Sequence, residues 1–213
     1  MKNLFSFLFI SLSLFLGQAN AQVATFFNHK FDVKLPSDYC TLPIDSNFYK
    51  FNKDMFGKSI KLGFIAAPCI TVRLLTHSKI SSLPHYIAFE LVGIENTFVK
   101  FPFGDYAYVN LITVANPEDL NTVSARLNRK SNNYRVSFSN LAYKLMNKSN
   151  KAVTYVARAT MDGFGKTTNI SLLAMSKLVN DIPVAVHVYD EDTSQSKLQI
   201  SYAQLLDAVN SLK

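Results

Sequence analysis

The residues most suggestive of chemistry lie at Asp162-Gly163-Phe164-Gly165-Lys166-Thr167, where a Gly-Lys-Thr triplet resembles the end of a nucleotide phosphate loop. Such a loop needs a further glycine five residues before that triplet, and a helix directly after it whose N-terminal amides hold the phosphates. Thr160 occupies the glycine position, and Thr168-Asn169-Ile170-Ser171-Leu172 continues as a strand. The segment reads instead as a hairpin turn.

Other candidates are weighed the same way. The four histidines, His29, His77, His85 and His187, are scattered and form no HxH or HExxH pair, so no metal site is indicated at short range. His187 lies between Val186 and Val188 and so points away from the valine face. Asp190, Glu191 and Asp192 follow it, but they lack the alternating spacing of a calcium loop and read as a solvated acidic turn. No serine carries the G-x-S-x-G elbow of a hydrolase. The sequence thus nominates no catalytic residue, metal or cofactor. A hydrolase whose groups converge from distant positions, Cys69 or His187 among them, is the alternative reading.

Only two cysteines occur, Cys40 and Cys69. In an oxidising compartment they read first as a disulfide, worth about 3 kcal/mol through loop closure. The competing readings are two buried thiols or a reactive Cys69. Compartment is suggested by the first residues. Lys2 precedes the uncharged, apolar run Leu4–Leu16, then comes Gly17 and the small-residue site Ala19-Asn20-Ala21. This is the pattern of a secretory signal peptide over 1–21, cleaved near Ala21. The run is shorter than the roughly 20 residues a bilayer span requires, and no membrane span is expected after cleavage. The expected mature product is one domain over 22–213, periplasmic or secreted, with a lean toward a bacterial envelope.

The formal net charge of +7 falls to +6 when Lys2 is removed. Its densest piece, Arg126 to Lys130 with Arg135 beyond, is short and not interleaved with aromatics, so nucleic acid is not an expected partner. An unidentified protein or small molecule is. Phe101-Pro102-Phe103-Gly104-Asp105-Tyr106 is the candidate contact loop, because Pro and Gly would hold Phe101, Phe103 and Tyr106 out of regular structure. Nothing in the sequence fixes the oligomeric state.

The elements that must position these groups follow from periodicity. Phe31, Val33 and Leu35 alternate as a strand; Ser46 caps a helix carrying Phe48, Phe51 and Met55, ended by Gly57. Ile60 to Ala66, Ile70 to Leu74, His85 to Ile94 and Thr97 to Phe103 read as strands. Asn116-Pro117 opens a helix through Leu127. The spacing of Phe138, Leu141, Ala142, Leu145 and Met146 predicts another helix over 138–147. Strands follow at Val153 to Met161, Ile170 to Val179 and Val184 to Val188, with Asn180-Asp181 as a tight turn. Ser201-Tyr202-Ala203-Gln204 reads as a capping box for a last helix with Tyr202, Leu205, Leu206, Val209 and Leu212 on one face. The class is α+β, a mainly antiparallel sheet packed by helices, with a C-terminal meander followed by a helix.

The opening Phe31-Asp-Val-Lys-Leu-Pro36-Ser-Asp-Tyr39 resembles the start of exported PsbP-like and DcrB-like domains, which also end in a meander and a helix. The resemblance carries no active-site residue. It implies an accessory or binding role, and the reading favoured is an exported, non-catalytic binding protein of the bacterial envelope.

Overall fold

A computed structural model describes residues 21–26, 29–55, 60–93, 100–114, 120–210 and 212. The leader run Leu4–Leu16, the helix stop at Gly57 and the helix start at Asn116-Pro117 lie outside them.

The protein is α+β. Seven antiparallel strands form one sheet in the order β3-β4-β5-β9-β8-β7-β6: β3 Tyr39–Thr41, β4 Ile60–Pro68, β5 His85–Val92, β6 Ser137–Lys148, β7 Ala152–Gly163, β8 Lys166–Val179 and β9 Ile182–Asp190. A separate hairpin pairs β1 Ala21–Phe26 with β2 His29–Lys34. The helices are α1 Asn47–Met55, α2 Cys69–Thr76, α3 Gly104–Val114, α4 Leu120–Ser131 and α5 Gln195–Asn210. Among the described residues no helix is long and apolar enough to cross a membrane.

Alternation decides which side chains meet which layer. Phe89, Leu173, Val186 and Val188 face α5 and β2, joining Phe31, Val33, Leu205 and Val209 in one core. Tyr86, Ile170, Met161 and Tyr189 face the opposite way and pack with Phe48 and Phe51 of α1. β9 lies inside the sheet with helices over both faces, so all of its residues are buried. Its neighbour β8 reaches it through Asn180-Asp181, with φ values of 52° and 65°, the two-residue turn whose twist suits a hairpin.

Four sequence expectations are corrected. Residues 138–147 belong to strand β6, not to a helix. Ile70 to Leu74 lie in α2, where Val72 is buried and Ile70 is exposed. Residues 100–103 are not strand, and α3 starts at Gly104. Ser201 is buried within α5, which begins six residues earlier at Gln195; the helix is capped by Ser194, whose Oγ accepts from the Lys197 amide at 3.3 Å.

Candidate functional site

The residues singled out by the sequence fall into separate places. Gly163 and Lys166 pair across Phe164-Gly165, whose φ values are 54° and 81°. The Gly-Lys-Thr run is therefore a hairpin turn, and Lys166 forms an ion pair with Glu191. Cys40 and Cys69 are bonded, with Cα atoms 4.8 Å apart. The bridge ties β3 to the start of α2 and leaves Cys69 no thiol to act as a nucleophile.

Asp190 belongs to no solvated turn. It is 3% exposed and lies under α5, where its Oδ2 sits 2.7 Å from His85 Nδ1 and 3.6 Å from Lys197 Nζ. Ser201 also donates to this carboxylate, at 3.3 Å. A serine nucleophile would have to give its proton to the imidazole; here the hydroxyl and the imidazole share one acceptor instead. The cluster docks α5 on the sheet. On the opposite face His187 Nε2 lies 2.8 Å from Glu90 Oε2, and Glu90 has no exposure. Among the described residues no three His, Cys, Asp or Glu side chains group as metal ligands.

The expected contact segment divides. Phe101 is buried and packs against Tyr108 with ring centroids 5.7 Å apart. Phe103 and Tyr106 are 73% and 65% exposed, one before α3 and the other on it. Tyr108 anchors that helix through a 2.6 Å hydrogen bond with Ser176 of β8.

A site that sequence reasoning assigned to ordinary core lies on the α1 face of the sheet. A cavity of about 210 Å³ is lined by Phe48, Phe51 and Met55 of α1, by Leu127 of α4, and by Leu141, Met161, Ile170 and Leu172 of the strands. Its size falls between the roughly 150 Å³ apolar cavity that holds benzene and the 300–1,000 Å³ of pockets for drug-sized ligands, roughly. The bulge in β6 between Ser139 and Ala142 helps to make it. Asn140 there takes φ 53°, and Leu141 joins the lining.

The polar side chains at the cavity are Asn52, Ser82, Tyr86, Arg158 and Tyr189. Tyr86 donates to Asn52 Oδ1 at 2.8 Å, and Asn52 Nδ2 donates to the Phe48 carbonyl at 2.9 Å. Tyr86 and Tyr189 stack with centroids 4.6 Å apart. Burial pushes both phenols above their usual pKa, which keeps their protons on. Phe164 contributes to the lining from its turn and packs on Phe48 and Phe51.

The fold and site together describe an α+β protein in which a small apolar cavity lies between a helical layer and an antiparallel sheet. The chain matches no family model and no curated protein. Among solved structures it is similar to the solution structure of cyanobacterial PsbP (CyanoP) from Synechocystis sp. PCC 6803, at 8% identity over 96% of this chain and 98% of that one, with a TM-score of 0.44. It is also similar to the Saccharomyces cerevisiae Ran-binding protein Mog1p, at 9% identity over 92% of this chain and 95% of that one, with a TM-score of 0.43. The likeness is one of layout.

Proposed function

We propose that the chain is an exported, non-catalytic binding protein that holds a compact apolar ligand in the cavity between α1, α4 and the sheet. The cavity carries this reading: a half-open apolar space larger than one benzene needs, bounded chiefly by aromatic, aliphatic and thioether side chains, is the kind of site that takes small apolar molecules. Export is supported by the leader pattern of residues 1–21 and by the Cys40–Cys69 bridge, which persists in oxidising compartments. A single mature domain over 22–213 in a bacterial periplasm, or secreted, is the setting we infer. Phe103 and Tyr106 are the residues we assign to contact with a partner protein, since two exposed rings beside a helix start offer apolar area without disturbing the core.

The methionines test the site. Met55 and Met161 line the cavity, Met146 is exposed on β6, and Met175 packs in the α5-side core. With methyl-labelled methionine, toluene should shift Met55 and Met161 saturably and leave Met146 and Met175 in place. Equal shifts at all four, or none, would count against a cavity ligand.

A further inference from the structure

The buried tyrosines of the described residues are Tyr39, Tyr49, Tyr86, Tyr108 and Tyr189. Three have oxygen partners within hydrogen-bond distance, and Tyr39 lies in the α5-side core, away from the cavity. Tyr49 donates to the carbonyls of Leu62 and Gly63, Tyr86 to Asn52, and Tyr108 shares a hydrogen bond with Ser176. Tyr189 differs. Among the described residues its hydroxyl meets only the thioether sulfur of Met161, at 4.0 Å. Sulfur is a weak acceptor, and that distance is the outer limit of such a contact. Tyr189 is only 8% exposed, and both it and Met161 line the cavity.

A buried O–H with no oxygen acceptor is a liability that native proteins seldom leave uncorrected. Stacking on Tyr86 holds the Tyr189 ring in place, and Asn52, the amide side chain of the lining, is already used by Tyr86 and the Phe48 carbonyl. The missing acceptor can therefore come from whatever occupies the cavity. Building on the ligand-binding reading above, we infer that the cavity selects a compact apolar molecule bearing one hydrogen-bond acceptor, such as an aryl ketone, aldehyde, ether or short ester, and that Tyr189 is the residue that recognises it. Recognition by a buried donor discriminates more strongly than apolar shape alone, because a ligand without the acceptor leaves the hydroxyl unpaired.

Acetophenone and cumene test this as a pair, since they share shape and heavy-atom count and differ in the carbonyl. Affinities for both are measured from the Met55 and Met161 methyl shifts, in the wild type and in Tyr189→Phe, which keeps the stacked ring. The variant should weaken acetophenone about five- to tenfold, the range of one net hydrogen bond, and change cumene less than about twofold. Met161→Leu, which removes the competing sulfur, should tighten acetophenone. If Tyr189→Phe changes both ligands alike, or neither, Tyr189 does not read the ligand, and the cavity reading survives. If the wild type binds neither molecule saturably, the cavity reading falls and this inference falls with it.

Discussion

Phe164 meets Phe51 edge to face, with ring centroids 5.3 Å apart and planes at 90°, although the Phe164 backbone takes φ 54°. A left-handed conformation costs a residue with a Cβ roughly 1–2 kcal/mol. At the equivalent turn between β8 and β9 the chain uses Asn180 and Asp181, which tolerate that region well. A phenylalanine at such a position is paid for by its ring, which also touches Phe48 and borders the cavity.

Two substitutions separate the ring from the backbone. Phe164→Ala loses the aromatic contacts and keeps the strain, and should cost about 2 kcal/mol for a half-buried ring. Phe164→Gly loses the same contacts and relieves the strain, so it should be about 1 kcal/mol more stable than the alanine variant. Urea unfolding of the two proteins checks the order; alanine at or above glycine would show that the turn carries no such strain.

Breaking the Cys40–Cys69 bridge should cost about 3–4 kcal/mol by releasing the loop it closes in the unfolded chain. The expected readings are no titratable thiol in the oxidised protein and a lower urea midpoint after reduction. Because the bridge ties β3 to α2, amide exchange should quicken first at Tyr39–Thr41 and in α2.

The leader is tested at the N-terminus of protein taken from the export compartment. Cleavage after Ala21 leaves Gln22 to pair with Val33, so the β1–β2 hairpin loses only its outermost pair, Ala21 with Lys34. N-terminal sequencing should begin at Gln22, and a retained Met1 would contradict export with cleavage.

Much of the fold was legible because period-two alternation survives where a strand is regular. β7 and β8 pair without a shift from Ala152 to Gly163, and their strands could be read directly. β6 could not. Bulges between Ser139 and Ala142 and between Leu145 and Asn147 each shift the parity, so Phe138, Leu141, Ala142, Leu145 and Met146 acquire spacings of three and four that imitate a helix. α2 misled in the opposite sense, since a short run of β-branched residues alternated by chance while only Val72 became buried. At Ser201 the capping-box spelling was present, but the true start at Ser194 lay upstream, and the hydroxyl went to Asp190 instead. The cavity was illegible for a different reason. Its walls are ordinary core residues brought together from α1, α4 and five strands, and only the third dimension shows that they fail to fill the space between them.

Acid should weaken the protein through His85. Burial lowers its pKa below the ordinary 6.5; hydrogen bonding and attraction to Asp190 oppose that, Lys197 adds to it and Gln204 opposes it. The unfolded chain therefore binds a proton at His85 at a higher pH than the native chain does. Between the lowered native pKa and about 6.5 the unfolded state holds more protons, so stability falls as the pH drops through that window and levels off below it. Above about 6.5 both states are neutral at this residue and its contribution is constant. Urea midpoints at about pH 7.5 and about pH 5.5, compared between wild type and His85→Gln, isolate the effect. The wild type should lose more stability on acidification than the variant. Equal losses in the two proteins would assign the acid sensitivity to other groups.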